Sequence, residues 1–256
     1  FTGCLLMFLG TMSLVEISRH LGLTWVGVEA TTLASAPLVY FHRHRRSLEA
    51  VWKYLMICSV GIALALLGLF ALASVESLPS MQFDDVLASA GELPVAWLKA
   101  AFILMLVGYG TKMGLAPMHT WLPDAHSEAP SLVSALLSGS LLNCAFLALW
   151  RLAQLCFAAG LDRFAQDLLL VLGFVSIALA AVFIVGQRDF KRLLAYSSVE
   201  NMGILAVGVG LGPAGAAGAL LHAVNHSLIK ASLFLLAGNL LVLYGSRSTD
   251  AVRGAC

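Results

Sequence analysis

The chain has 256 residues, 60% of them hydrophobic and only 11% charged, with a formal net charge of +1 and a mean hydropathy of +0.90. Soluble domains carry roughly 25% charged residues, so this composition excludes a soluble globular protein and identifies an integral membrane protein. Apolar runs of about 20 residues, each enough to cross a bilayer, recur with short connections, and none of the chain is left over for a soluble domain.

Spans are expected at 1–18, 21–41, 50–74, 95–121, 130–156, 166–186, 190–211 and 214–244: eight helices, the fourth interrupted, in an all-α polytopic membrane protein. The first opens on Phe1 in mid-span, with neither an initiator Met nor the basic stretch of a signal peptide, which reads as a fragment of a longer polypeptide. The second carries Glu29 at its middle. The third contains "GIALALLGLFALA" (61–73), which reads as helix on length and composition, and the period-2 alternation of a membrane barrel is absent. The fourth holds Lys112 among Gly108, Gly110 and Gly114 and breaks at Pro117. The segment after the break, "PMHTWLPDAHSEAP", brings His119, Asp124, His126 and Glu128 together between prolines; it reads as a linker that either feeds protons to Lys112 or is a solvated loop. The fifth span contains Asn143, and the seventh places Glu200 roughly 15 Å beyond Phe190 along a helix rising 1.5 Å per residue. The eighth includes "LLHAVNHSLIKASLFLLAG". Five cysteines, Cys4, Cys58, Cys144, Cys156 and Cys256, are scattered without a C-x-x-C pair and read as small apolar fillers.

Lys and Arg counts across alternating loops set orientation. One side holds Arg43, Arg45, Arg46, Lys53, Arg188, Lys191, Arg192, Arg247 and Arg253; the other holds Arg19, Lys99, Arg151 and Arg163. Loops 42–49 and 187–192 and the C-terminal end are therefore expected to be cytoplasmic, with the acidic "SVESLPSMQFDDVLASAGE" facing outward. Of the fifteen basic residues only Lys112 and Lys230 remain without a loop. A basic residue at the centre of a membrane helix costs roughly 2.5–3.5 kcal/mol, so both ask for a reason. With Glu29 and Glu200 they form the intramembrane ionisable set; Glu16, near a helix end, reads as solvated.

Two constellations follow. Glu29 and Lys112, in low dielectric, stabilise each other's charged forms, and a lysine whose partner can move is able to bind and release protons; a static ion pair between two helices is the alternative. Irregular backbone at membrane depth survives only where it is buried in protein or lines a cavity, and broken helices are a device of transporter ion sites, which favours the mobile reading over a plain proline kink. His222, His226 and Lys230 recur at i, i+4 and i+8, so they line one helix face in a ladder roughly 12 Å long, as a proton relay needs. An H-x-x-x-H pair can also bind zinc, but no third ligand stands out and no metal is expected; a polar seam with Asn225 and Ser227 is the structural alternative. The chain contains no nucleotide loop, no nucleophile elbow and no cysteine cluster for iron–sulfur, so neither a cofactor nor a nucleic-acid partner is expected.

The motifs "KMGLAPMHTWLPDAHSEAPSLVSALLSG" (112–139), "DFKRLLAYSSVENMG" (189–203) and "HAVNHSLIKASLFLLAGN" (222–239) resemble the antiporter-like proton-translocating subunits shared by respiratory complex I, Mrp-type cation/proton antiporters and energy-converting membrane hydrogenases. With residues 25–68 the resemblance is strongest to the hydrogenase-4 and formate-hydrogenlyase type. It implies two inverted repeats: a first half-channel over 1–160, broken near 108–118, and a partial second repeat over 161–256. It also implies Glu29, Lys112, Lys230, His222 and His226 as proton-carrying residues, with Glu200 between them. Many members carry a further lysine where this chain has Asn143, so transfer past that helix must use water, Glu200 or another side chain. The implied function is proton translocation by a non-redox subunit of a larger complex in the inner (plasma) membrane of a prokaryote. Its partners would be the lipid bilayer, other membrane subunits and a hydrophilic redox arm with iron–sulfur or nickel–iron subunits. A stand-alone or Mrp-type Na⁺(K⁺)/H⁺ antiporter and a purely structural membrane anchor are the rival readings.

Overall fold

A computed structural model describes residues 1–75 and 78–252, so Glu76 of the acidic loop, Arg253 and Cys256 lie outside it. Among the described residues the regular structure is helical: α1 (Thr2–Ile17), α2 (Leu21–Val39), α3 (Arg45–Ala73), α4 (Phe83–Ala88), α5 (Val95–Met113), α6 (Trp121–Glu128), α7 (Ser131–Leu136), α8 (Leu142–Ala158), α9 (Asp162–Val185), α10 (Phe190–Gly210) and α11 (Pro213–Tyr244). Among the described residues six stretches are long and apolar enough to cross a membrane: Arg45–Ala73, Val95–Glu128, Ser131–Ala158, Asp162–Val185, Phe190–Gly210 and Pro213–Tyr244. Six rather than eight meet that measure, because α1 has only 16 residues and the 19 residues of α2 include Glu29 and Pro37.

The segment expected as a linker after Pro117 is instead helix α6, entered through a short 3₁₀ turn at Met118–Thr120. Pro123 falls in the first turn of α6, where a missing N–H leaves no bond unmade. It therefore starts the helix instead of interrupting it. Between α7 and α8 the chain makes a π-helical turn at Leu137–Leu141, and Ser138 Oγ meets Ser198 Oγ of α10 at 2.7 Å.

Helices α3 and α5 pack closely. A Cβ at Gly108 would lie 2.6 Å from both Ala65 Cβ and the Gly61 carbonyl oxygen, and one at Gly68 would lie 2.6 Å from Met105 Cγ. Small residues at helical spacing let the two backbones touch. Gly108, one of the three glycines around Lys112, thus serves close helix packing.

Charged loops gather at one rim of the bundle. Asp124 of α6 contacts Lys53 of α3 at 3.1 Å and Arg192 of α10 at 2.7 Å. Arg247, just past α11, reaches Glu128 at 3.0 Å and Asp189 at 3.6 Å, while His44 approaches Glu128 at 3.3 Å. At the other rim Arg19 pairs with Asp84 at 2.8 Å. Lys191 was counted with the rim charges but is only 2% exposed. Asp189 caps α10 by accepting the Lys191 and Arg192 backbone N–H groups, which starts the helix one residue before Lys191 and carries its side chain inward.

Candidate functional site

The break after α5 is bridged by a tight turn and by side chains that take up freed backbone groups. Gly114 ends the helix at φ +83°, a left-handed conformation that suits glycine, and Leu115 N–H bonds back to Gly110 O at 2.8 Å. Beyond it the Ala116–Pro117 bond is cis. Ala116 N–H donates to Ser176 Oγ of α9 at 2.9 Å, and Trp121 Nε1 donates to the Thr111 carbonyl at 2.8 Å. Side chains thus replace the helical bonds that the break removes, as irregular backbone at this depth requires.

Lys112, in the last turn of α5, is fully buried. Its ammonium donates to Thr32 Oγ1 at 2.7 Å and to Tyr54 OH at 2.9 Å, and stands 4.8 Å from the centre of the Tyr54 ring. Tyr54 OH also meets Ser35 Oγ at 2.7 Å, and its ring leans on Trp121 with centroids 4.9 Å apart. The expected Glu29–Lys112 ion pair is not formed among the described residues. Glu29 is half-buried, with Thr32 and Ser59 beside its carboxylate and Oε2 lacking a hydrogen-bond partner. Thr32 is three residues beyond Glu29 on the same helix face, and its hydroxyl reaches the ammonium first. Thr32, Ser35 and Tyr54 were not singled out in the sequence, where hydroxyls scattered on apolar helices leave no periodic signal.

A second group lies along α11, an unbroken helix that aligns the histidine–lysine ladder as its spacing predicts. His222 Nε2 meets Asn201 Oδ1 of α10 at 2.9 Å. His226 is 2% exposed, and neither ring nitrogen makes a well-formed hydrogen bond. Lys230 is 3% exposed and donates to the Leu194 carbonyl at 3.0 Å, with Glu200 as its neighbouring carboxylate. Asn143, on α8, donates to Ser227 Oγ at 2.6 Å and to the Ala223 carbonyl at 3.2 Å. Its amide fastens α8 to α11 and leaves Oδ1 without a protein partner.

The residues after the break divide three ways. Asp124 and Glu128 join the rim network. His119, 5% exposed, sits beside Phe183 and Tyr196. His126 is fully buried and stacks on Phe234 of α11 with centroids 5.0 Å apart. The ionisable neighbours of His126 are Lys191, Lys230 and His226, so it lies with the α11 group; the sequence left its segment either a feed to Lys112 or a solvated loop. Lys191, missed because Arg188 and Arg192 flank it like loop charges, donates to the Ala129 carbonyl at the end of α6.

A broken helix ending on a buried lysine, and a long helix carrying imidazoles and a second one, define a multi-pass membrane protein built around ionisable groups at membrane depth. The sequence profile of the family described as NADH:quinone oxidoreductase/Mrp antiporter, transmembrane, matches residues 18–254, and the chain belongs to that family. It is 43% identical over 234 residues to the hydrogenase-4 component F homolog of Methylacidiphilum infernorum (isolate V4), covering 89% of this chain and 49% of that protein. It is 39% identical over 192 residues to NAD(P)H-quinone oxidoreductase chain 4 of Gloeobacter violaceus, covering 75% of this chain and 36% of that protein. The chain therefore spans about half, or less, of the length of these relatives. A chain of the membrane-bound sulfane sulfur reductase, an archaeal respiratory membrane complex, superposes with a TM-score of 0.91 over 97% of this chain and 51% of that one, at 20% identity, which shows the shared fold.

Proposed function

We propose that this chain moves protons across the membrane as a subunit of a larger redox complex, of the energy-converting hydrogenase or quinone oxidoreductase kind named among its relatives. The observation that carries the reading is Lys112: a fully buried ammonium at a helix break, resting on two neutral hydroxyls with no bonded counter-ion. Lys112 takes a proton from the basic rim, which the Lys and Arg asymmetry makes the cytoplasmic side of a prokaryotic plasma membrane. It passes the proton through water held at Asn143 Oδ1 and then by way of Glu200, His222 and His226 to Lys230. Residues 1–160 form one half-channel around the break and residues 161–256 part of a second.

A neighbouring membrane subunit drives the cycle by changing the distance between Glu29 and Lys112. Moving one charge against 100 mV costs roughly 2.3 kcal/mol, and a hydrogen bond to a charged group is worth about 1.5–3 kcal/mol, so remaking the Lys112 seat supplies energy on the right scale. The redox chemistry belongs to a hydrophilic arm on other subunits.

The test places Lys112→Met and Glu29→Gln in the full-length protein within its complex. Redox-driven acidification of membrane vesicles, followed by acridine-dye quenching, should be lost in Lys112→Met and strongly reduced in Glu29→Gln. Wild-type quenching in both would falsify the proposal. Cation-driven proton flux in liposomes holding the protein without redox partners would favour a stand-alone antiporter instead.

A further inference from the structure

Next to the rim network lies a cavity of about 660 Å³ whose lining includes His42, His44, Glu128, Arg247, Asn239 and Lys191. Lys191 is the buried one among them, its Nζ held by the Ala129 carbonyl. One helical turn back from Ala129 is His126, wholly buried, with neither ring nitrogen in a well-formed hydrogen bond. Buried polar atoms are satisfied in the great majority of cases, and an exception asks for an explanation. Packing does not supply one, since a phenylalanine ring would stack on Phe234 as well.

The position of His126 supplies it. Phe234 stands four residues beyond Lys230, eight beyond His226 and twelve beyond His222, on the same face of α11. By stacking there, His126 adds from α6 the imidazole that α11 itself lacks at the next step, and the ladder lengthens to roughly 18 Å at 1.5 Å per residue. The groups facing His126 are Lys191 toward the cavity and Lys230 and His226 toward the membrane interior. Those facing Lys191 are Arg247, Asp189 and Glu128, and the carboxylate facing Lys230 is Glu200. At the mouth, burial and then the neighbouring His44 hold His42 below the usual imidazole range.

We propose that this cavity is the mouth of a proton inlet that reaches Lys230 through Lys191 and His126 without passing Lys112. The inference rests on the reading that the chain carries protons, and adds a second way in. Each transfer changes N–H bonds alone. The Lys191 ammonium gives a proton to one ring nitrogen of His126 and becomes an amine; the other ring nitrogen gives a proton to Lys230 as the amine or to His226, and Lys191 is reloaded from the cavity.

The experiment compares His126→Phe, which keeps a ring against Phe234 and removes both nitrogens, with Lys191→Met on a separate helix. Both are made in the full-length protein within its complex. Redox turnover in uncoupled vesicles should stay near wild type in each, while dye-monitored pumping falls roughly twofold, the route through Lys112 remaining; a role in packing alone would lower turnover and pumping together. If His126→Phe does not assemble, His126→Asn, smaller and unable to carry a proton, is read in the same way. Wild-type pumping in the His126 and Lys191 variants, beside a loss in Lys230→Met, overturns the inlet and leaves proton carriage standing. Wild-type pumping in Lys230→Met and Lys112→Met as well overturns both.

Discussion

A methyl group added at Gly108 has no space to occupy. Built on the backbone, it lies 2.6 Å from Ala65 Cβ, 2.6 Å from the Gly61 carbonyl oxygen and 2.7 Å from Ala65 N. Carbon contacts settle at about 3.5–4.0 Å, and two of the three opposing atoms are backbone, so α3 and α5 must part by roughly 1 Å. Overpacking of this kind costs about 1–3 kcal/mol. The same two helices carry Tyr54 and Lys112, whose hydrogen bond is 2.9 Å long. A shift of that size stretches it to about 3.9 Å, past the ~3.6 Å at which such a contact ceases to be a hydrogen bond. Gly108→Ala is therefore expected to lower both thermal stability in detergent and proton pumping in vesicles. Gly110→Ala is the control: its nearest contacts are 3.5–3.9 Å away, and the exchange should be neutral or gain up to about 1 kcal/mol from reduced backbone freedom. Equal melting temperatures and equal pumping in the two variants would refute the argument that close α3–α5 contact positions the lysine.

Tyr54→Phe removes one of the two acceptors of the Lys112 ammonium and keeps the ring on Trp121. The seated ammonium should lose about 1.5–3 kcal/mol, a factor of about 10–150 in its occupancy of that seat, seen as lower thermal stability and slower pumping; no change in either would show that the hydroxyl does not hold it. Asp124→Asn removes the charge between Lys53 and Arg192, whose side chains are 45% and 40% exposed. The expected loss is therefore about 1 kcal/mol or less, and it should vanish in high salt when unfolding midpoints are compared; a loss unaffected by salt contradicts a screened, surface-type contact.

The helical plan was legible because apolar runs and the residues that stop them are local properties. His44 caps α3 and Asp189 caps α10, and both follow short polar loops. Lys112 and Lys230 were legible for a related reason: each is a charge with no loop to explain it. Lys191 escaped the same logic, since its neighbours Arg188 and Arg192 are charged and only the cap at Asp189 tells that the helix has already begun. The partners of Lys112 were beyond reach, because Thr32 and Tyr54 lie 80 and 58 residues away on helices whose many other hydroxyls carry no mark of which one faces inward. The helix that carries His126 was hidden because the prolines around it read as a linker, whereas a proline in the first turn is a start.

The seat of Lys112 also bears on what remains after the proton has gone. Had the lysine been clamped to a carboxylate, its neutral form would leave a bare anion facing an amine inside the bilayer. Thr32 and Tyr54 instead offer hydroxyls, each of which can accept from an ammonium or turn its own hydrogen toward an amine. Losing the proton then asks for one rotation about a C–O bond, because the amine has a single lone pair and keeps two N–H donors for the other hydroxyl, and the same pocket fits the lysine empty-handed as well as loaded.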